Sequence, residues 1–237
     1  MNIALIGYGK MGREIEAIAL DRGHQISLKV TRENADFTPG DLAGTDVAIE
    51  FSRPEAAVNN IQKCVSAGVP VVVGTTGWYD EFDAVVQQVN DNKGCLFYAS
   101  NFSLGVNIFF KVNEYLAEIM NRYPEYQVSM EEIHHTQKLD APSGTAITAA
   151  EKILGQIDRK ESWKLDESEE DKDLVITAKR LPEVPGTHEV FYSSSIDTLS
   201  FKHEAHNRKG FALGSVLAAE FCHGKTGVYN MNNLLGL

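Results

Sequence analysis

The densest group of chemically reactive side chains lies in residues 132–145. Two adjacent histidines, His134 and His135, precede Lys138 there. An imidazole can transfer a proton near neutral pH, and an ammonium group can hold an anion beside it. Because neighbouring strand residues face opposite sides, the two histidines need not share a role. The segment therefore predicts one histidine as an acid in a cleft and the other as a substrate-binding group.

The same segment continues into a predicted helix at residues 144–154. Ser143 or a neighbour is expected to cap this helix, which leaves the backbone N–H groups of Gly144 and Thr145 for an anion. A carboxylate held there would lie near Lys138. Two other interpretations stay open, since the histidines could be structural or could bind zinc together with Glu132. Adjacent histidines lack the i, i+4 spacing of a helical zinc site and no cysteine lies near, so we predict no metal.

A glycine-rich turn near the N-terminus indicates a second site. It follows an apolar strand and fits the GxGxxG pattern with Gly7, Tyr8, Gly9, Lys10, Met11 and Gly12. In this pattern the first glycine makes a tight turn, the second admits a pyrophosphate and the third lets a helix pack on the strand. A glycine turn can also serve packing alone, but its place between a strand and a helix predicts dinucleotide binding.

The end of the second strand bears on which nicotinamide cofactor binds. NAD-binding folds usually carry an acid there, whereas this chain has Val30-Thr31-Arg32. Arg32 could pair with a 2′-phosphate, with Lys10 as a second cation, or could be an ordinary surface arginine. Glu33 could act either way. NADPH is therefore favoured, and NADH stays open.

Two further polar turns follow predicted parallel strands. One contains Gly74, Thr75, Thr76 and Gly77, and the other contains Ala99, Ser100, Asn101 and Phe102. Each alone could be a plain turn. Since the carboxyl ends of parallel strands meet at one edge of a sheet, these turns and the glycine turn together predict one continuous crevice.

The pattern of predicted strands and helices that position these residues changes along the chain. Strands and helices alternate up to about residue 103, with an irregular crossover at 33–45, which predicts a Rossmann-type parallel sheet. A long amphipathic helix at 106–123 then leads to strands with antiparallel character at 126–135, 172–180, 188–194 and 198–205. We expect an exposed charged loop at 160–173, a last helix at 211–221, and an apolar return at 228–234. The predicted domains are 1–103, completed by 209–237, and 104–208, the second built on a mixed or antiparallel sheet.

The composition limits the class of protein. The 237 residues carry a net charge of −11, which argues against nucleic acid as a partner. No apolar run reaches the roughly 18 residues that span a bilayer. Met1-Asn2 enters an apolar strand without a basic region or a cleavage site, and the three cysteines are too scattered for a disulfide framework. We therefore expect a cytoplasmic protein without a membrane partner.

Several motifs resemble those of the dihydrodipicolinate reductase family, now described as 4-hydroxy-tetrahydrodipicolinate reductase. The resemblance covers nearly the whole chain and is most specific in Glu132-x-His134-His135-x-x-Lys138-x-Asp140-Ala141-Pro142-Ser143-Gly144-Thr145-Ala146. Residues 74–77 and 99–107 are similar to the family's cofactor motifs, and Phe51-Ser52-Arg53-Pro54 is similar to its third-strand motif. Two departures, a glycine turn one residue shorter and Thr31 in place of an acid, affect only the expected cofactor preference.

The resemblance implies a function and the roles of individual residues. It implies an oxidoreductase of the diaminopimelate and lysine pathway that transfers hydride from NADPH or NADH to a cyclic imine dicarboxylate. It implies that His134 donates or accepts a proton and that Lys138 is a second proton donor that grips substrate. The other substrate-binding residues that it implies are His135, Ser143, Gly144 and Thr145. It also implies cofactor contacts from Phe51, Arg208 and Phe211, and a homotetramer formed through the sheets of the second domain.

Two rival functions are weaker. A semialdehyde dehydrogenase needs a cysteine nucleophile, and none of Cys64, Cys95 and Cys222 follows a strand in the predicted crevice. A dinucleotide-binding regulator would explain the glycine turn. It would give no reason for His134 and Lys138 beside a Ser-Gly-Thr turn.

Overall fold

The computed structural model describes residues 1–207 and 209–237. The chain forms two compact units, Met1–Leu104 with Lys209–Leu237, and Gly105–Arg208. The role expected for Arg208 falls outside the described residues. Among the described helices, none has both the length and the apolar character needed to cross a membrane.

The first unit alternates strands with helices, which are numbered along the whole chain. Its strands are β1 (Asn2–Ile6), β2 (Gln25–Val30), β3 (Val47–Glu50), β4 (Val71–Val73), β5 (Cys95–Tyr98) and β11 (Gly227–Tyr229). Its helices are α1 (Lys10–Asp21), α2 (Pro54–Ser66), α3 (Phe82–Asp91), α6 (Lys209–Cys222) and α7 (Met231–Leu235). The strands pair in parallel in the order β11-β5-β4-β3-β1-β2. The predicted Rossmann-type sheet is confirmed.

Apolar packing on both faces explains why these strands are parallel. Strands β3 and β4 are buried at every residue, as continuous apolar runs are when helices cover both sides. One face packs against α1 and α6 through Ile15 and Val216, and the other against α2 and α3 through Ile61 and Val85. The expected irregular crossover after β2 contains only a short 3₁₀ turn, Pro39–Leu42.

The second unit contains a mixed sheet and two helices. Its elements are α4 (Leu104–Met120, whose first residue belongs to the first unit), β6 (Gln127–His134), α5 (Gly144–Leu154), β7 (Ser162–Leu165), β8 (Asp173–Arg180), β9 (Gly186–Ser193) and β10 (Thr198–Ala205). The strand order is β10-β9-β6-β8-β7. Strand β6 lies between β8 and β9, which follow one another in sequence. It is parallel to β8 and antiparallel to β9. The mixed sheet expected for the second domain is confirmed, since β10-β9 and β9-β6 pair antiparallel whereas β6-β8 and β8-β7 pair in parallel.

Residues 160–173 are only partly the exposed loop that their charge predicts. Strand β7 adds to the edge of the sheet beside β8, with Trp163 opposite Leu174. Lys160 is 7% exposed, and its ammonium group donates to the carbonyl of Asp173 at 2.9 Å. A short edge strand with only two apolar residues gives too weak a pattern to be recognised beside so many charges.

Alternation along β6 sets the orientation of the reactive side chains. Its buried residues occur at every second position and are Val128, Met130, Glu132 and His134. The first two lie in the core of the second unit, which also contains Phe109 of α4 and Ala149 of α5. Since a strand directs alternate side chains to one face, Glu132 and His134 lie on the buried face of the sheet.

Candidate active site

His134 is the last residue of β6 and lies in a buried cluster of polar side chains. It is 8% exposed, whereas Glu132 is fully buried. The two side chains meet, with His134 Nδ1 at 3.1 Å from Glu132 Oε2. Burial alone would raise the pKa of Glu132, but contacts with His134, Ser143 and Arg180 lower that pKa to about 2. Glu132 is therefore a charged carboxylate beside the imidazole.

Strand β9 supplies two neighbours of His134 that the sequence did not single out. His188 packs edge-on against His134, with ring centroids 5.1 Å apart. Burial is the main reason that the pKa of His188 falls to about 3, and the nearby His134 lowers it further, so His188 is neutral. Gly186 lies against the other end of the His134 ring, where a Cβ would be 3.0 Å from Nε2. The missing side chain at Gly186 leaves room beside this nitrogen.

The loop after β6 presents Lys138 and is braced by Arg180. Lys138 is partly exposed, and its ammonium group donates to the carboxylate of Asp140 at 2.8 Å. This ion pair lowers the pKa of Asp140. Arg180, on β8, donates to the carbonyl of Asp140 at 2.6 Å and to Glu132 Oε1 at 3.0 Å. The loop is thus fixed to the same carboxylate that contacts His134.

Helix α5 begins as the sequence predicts, with Ser143 as its N-cap. The Ser143 hydroxyl accepts from the backbone N–H of Ala146 at 3.1 Å and also contacts His188 Nε2 at 3.1 Å. The side chain of Ser143 is 2% exposed and serves the helix, so its expected contact with substrate stays a prediction. Gly144 is exposed and Thr145 is half-buried. The first turn of α5 therefore offers backbone N–H groups to an anion at the surface.

His135 takes a different position from His134, as strand alternation predicts. It is half-buried and lines a cavity of about 200 Å³ together with Glu183, Val184, Pro185 and Asn207. The cavity lies within the second unit. Its accessible lining is mostly apolar, so the expected contact of His135 with a substrate carboxylate stays a prediction.

Three donor groups of the second unit are close enough together to be considered as metal ligands. Donor atoms of Glu132, His134 and His188 lie within 4.8 Å of one another. This set differs from the one weighed in the sequence, where His135 stood in place of His188. Arg180 already neutralises Glu132, and the Ser143 hydroxyl contacts His188 Nε2. We assign no metal to this cluster.

The glycine turn of the first unit has the geometry needed to accept a dinucleotide. Gly7 has φ +95°, and a Cβ there would be 2.2 Å from the carbonyl oxygen of Phe51, so no larger residue fits. Gly12 packs α1 on the turn, since its Cβ would be 2.6 Å from the Gly7 oxygen. At Gly9 an added Cβ meets nothing within 4 Å, and no described side chain caps α1 there. The uncapped N–H groups beside this open glycine fit a pyrophosphate.

The other predicted residues of this turn differ in exposure. Tyr8 donates to Glu16, which also pairs with Lys29 at 2.6 Å, so the Tyr8 side chain is directed along α1. Lys10 is exposed, and Met11 is half-buried and packs against the core. Arg32 is exposed at the end of β2, where the loop is held by Asn34 through the N–H of Thr31 at 2.6 Å. The Arg32 guanidinium is thus at the surface, where a phosphate could reach it.

The structure brings the turns after β3, β4 and β5 together. The Phe51 ring covers Gly74, whose Cβ would be 2.1 Å from the ring, and contacts Phe102 with centroids 5.6 Å apart. Thr75 is 7% exposed and accepts from the Ser52 N–H at 2.9 Å, so its side chain is committed internally. The remaining predicted cofactor residues are buried (Ala99 and Phe102), half-buried (Asn101 and Phe211) or exposed (Thr76 and Ser100).

Sequence patterns missed a buried carboxylate in this crevice. Glu50 is fully buried at the end of β3, and its Oε1 accepts from the Ser52 N–H at 3.1 Å and from Asn60 at 3.3 Å. Burial raises the pKa of Glu50. The sequence feature that could have revealed Glu50 is an acidic residue at the end of an otherwise apolar strand. Arg180, Gly186 and His188 had no comparable signal, because only the pairing of β6 with β8 and β9 brings them to His134.

Comparisons with known proteins agree over both units. Residues 1–102 match the family described as dihydrodipicolinate reductase, N-terminus, and residues 105–235 match dihydrodipicolinate reductase, C-terminus. A 4-hydroxy-tetrahydrodipicolinate reductase of Christiangramia forsetii is 49% identical over 99% of this chain and 98% of its own. One from Neisseria gonorrhoeae is 34% identical over 94% of this chain and 84% of its own. A solved structure, dipicolinate-bound dihydrodipicolinate reductase from Paenisporosarcina sp. TG-14, has the same fold, with a TM-score of 0.78 and 22% identity over 97% of each chain.

Proposed function

The chain belongs to the dihydrodipicolinate reductase family, and we propose that it reduces 4-hydroxy-tetrahydrodipicolinate to tetrahydrodipicolinate with His134 and Lys138 as its proton-transfer groups. It is an oxidoreductase of the diaminopimelate and lysine pathway. The observation that carries the assignment of residues is the polar cluster at the end of β6. His134 and the N-terminus of α5 contact one buried carboxylate there, Glu132. Arg180 links the loop that carries Lys138 to the same carboxylate.

The chain's own residues provide for the substrate's two carboxylates and for proton transfer. The N–H groups of Gly144 and Thr145 hold one carboxylate at the start of α5, and Lys138 and His135 add a cation and a hydrogen-bonding ring. These groups stabilise the negative charge of the substrate carboxylates, so the substrate ring becomes a better hydride acceptor. The 4-hydroxyl of the substrate leaves as water, and the conjugated cyclic imine that results accepts the hydride. His134 then supplies the proton that the reduced ring takes up, through the ring nitrogen that Gly186 leaves uncovered.

The first predicted domain, 1–103 completed by 209–237, holds the nicotinamide cofactor in this proposal. A bound reduced nicotinamide supplies the hydride. The open backbone at Gly9 and the uncapped start of α1 receive its pyrophosphate, and the turns after β3, β4 and β5 receive the nicotinamide half. An exposed Arg32 and the lack of an acid at the end of β2 support NADPH over NADH.

The second predicted domain, 104–208, carries substrate binding and assembly in this proposal. We infer a homotetramer formed through its mixed sheet, which sedimentation or light scattering in solution would measure. A monomer at working concentration would contradict it. The three buried cysteines form no disulfide, which supports a cytoplasmic enzyme. Dipicolinate, named in the relative's structure, is the analogue that we expect this chain to bind.

Steady-state kinetics test the proposed function. Loss of NADPH absorbance is followed with the fresh product of dihydrodipicolinate synthase as substrate. The parent protein is expected to turn over, and His134→Gln and Lys138→Ala are each expected to lower kcat by about 100-fold or more while NADPH binding persists. Gln137→Ala, at an exposed position in the same loop, is the matched control and should keep parent kinetics. Tight NADPH binding without turnover in the parent would favour a dinucleotide-sensing regulator instead.

A further inference from the structure

Glu132 is a buried acid to which the proposed reaction gives no role. It lies on β6 two residues before His134, on the same face, and has no exposed surface. Removing an ionised carboxylate from water is costly unless partners replace the lost hydration. Its position beside the proposed acid therefore calls for a physical reason.

Each oxygen of the Glu132 carboxylate has its own set of contacts. Oε2 lies 3.1 Å from His134 Nδ1, and among the described residues neither atom makes a well-aligned hydrogen bond. Oε1 accepts from the N–H of Ser143 at 3.1 Å and from Arg180 at 3.0 Å. One carboxylate therefore joins the proposed acid to the residue that caps α5. Catalytic hydrogen bonds are often poorly aligned in ligand-free sites and align when substrate binds.

The charges around this carboxylate come from every element packed against it. Arg180 lies on β8, Lys138 and Asp140 lie in the loop, and His188 lies on β9 with its Nε2 3.8 Å from Glu132 Oε2. His203 of β10 acts on His188 from further away. Arg180 stabilises Glu132 as an anion, and burial keeps His188 neutral. His134 is thus the imidazole that faces a negative charge.

An anionic acceptor at Nδ1 determines what the other ring nitrogen can do. It favours the tautomer with the proton on Nδ1 and stabilises the imidazolium, as the aspartate of a serine-protease triad does. Nε2 is then the nitrogen that exchanges protons with a ligand. This is the nitrogen beside Gly186, where no side chain intervenes.

We propose that Glu132 is a positioning residue of the reductase, which fixes the tautomer of His134 through Oε2 and ties it to the carboxylate-binding start of α5 through Oε1. The inference rests on the proposed function, in which His134 transfers the proton. In this role Glu132 determines both the tautomer of His134 and the distance between His134 and the bound substrate carboxylate.

The pH dependence of turnover separates this role from a merely structural one. Glu132→Gln keeps the shape of the side chain but removes its charge, so the protonated imidazole loses its stabilising anion. We expect kcat to fall by about 100-fold and the limb on which activity declines with rising pH to move to lower pH. Glu132→Asp keeps the charge and should retain the parent pH profile with a lower kcat. Glu131→Gln, on the opposite face of the same strand, is the matched control and should change neither.

A second measurement needs no variant and applies even if Glu132→Gln fails to fold. Neutron diffraction of the parent protein at a pH above neutrality is expected to show deuterium on His134 Nδ1, directed at Glu132 Oε2. Deuterium on Nε2 with a bare Nδ1 would overturn the inference. So would Glu132→Gln with the parent kcat and pH profile.

These outcomes are distinguishable from failure of the proposed function. If the parent protein does not turn over, or if His134→Gln remains fully active, the assignment of His134 fails first. If the parent turns over and His134→Gln loses activity, but Glu132→Gln keeps the parent kcat and pH profile, only the role of Glu132 is contradicted.

Discussion

Gly186 lies so close to His134 that an added Cβ would stand 3.0 Å from the imidazole Nε2. The register of β9 against β6 produces this contact, with Ile133 opposite Thr187 and Glu132 opposite His188. Glu132 therefore lies against one nitrogen of the His134 ring, and the backbone of Gly186 lies beside the other. The position of the ring is set by the sheet and not by the loop that follows it.

Gly186→Ala tests whether that position matters. The new methyl group must push the imidazole aside, and a shift of less than 1 Å in a catalytic group lowers rates substantially. We expect kcat to fall about 10- to 100-fold with little change in NADPH binding. Gly155→Ala is the control, because a Cβ there meets its neighbours at 3.5 and 3.7 Å, which is ordinary contact. An unchanged kcat in Gly186→Ala would show that the ring has freedom to move.

Arg32→Ala tests the cofactor preference. If the guanidinium pairs with the 2′-phosphate, its loss should raise KM for NADPH by about 10-fold or more and leave KM for NADH unchanged. Arg122→Ala, an exposed arginine of the second unit, should change neither. Equal effects on both cofactors would place Arg32 away from the phosphate.

His188 should make the fold sensitive to mild acid. Its pKa is about 3 in the folded protein, below its ordinary value of 6.5, so the unfolded chain binds the proton first as pH falls. Between neutral pH and about pH 5, this group should lower the free energy of unfolding by about 2 kcal/mol. Glu132, with its pKa of about 2, begins to contribute only below about pH 4.5.

Urea unfolding at the two pH values measures the effect of His188. The loss of unfolding free energy between them should be smaller in His188→Asn than in the parent. His223→Asn, at an exposed histidine, is expected to behave as the parent does. The same loss in His188→Asn as in the parent would contradict the assignment of a buried neutral imidazole.

Metal removal should not affect turnover. Glu132, His134 and His188 are grouped closely, but Arg180 competes for the carboxylate. Dialysis against EDTA is expected to leave kcat and KM unchanged. A loss of activity that added zinc restores would show that this cluster binds a metal after all.

The sequence was sufficient for the parts of the molecule that depend on local patterns. Alternating apolar strands and helices predicted the parallel sheet, and Ser143 predicted the start of α5. Gly7, Gly9 and Gly12 have the backbone positions that the GxGxxG pattern implies. Each of these features depends on residues close together in the chain.

Features that depend on strand pairing could not be obtained in this way. Gly186 and His188 lie about fifty residues beyond His134, and only the position of β6 between β8 and β9 brings them and Arg180 to it. Strand β7 was hidden in a charged segment for the same reason, since its partner β8 decides its conformation. A one-residue change of register would have placed different side chains at the site.

A crystal structure of the protein with NADPH and dipicolinate would test the central claim most directly. The account predicts one dipicolinate carboxylate on the N–H groups of Gly144 and Thr145, Lys138 in contact with the ligand, and His134 Nε2 facing the ring beside the nicotinamide. Dipicolinate bound away from residues 134–145, or His134 and Lys138 turned from both ligands, would contradict it.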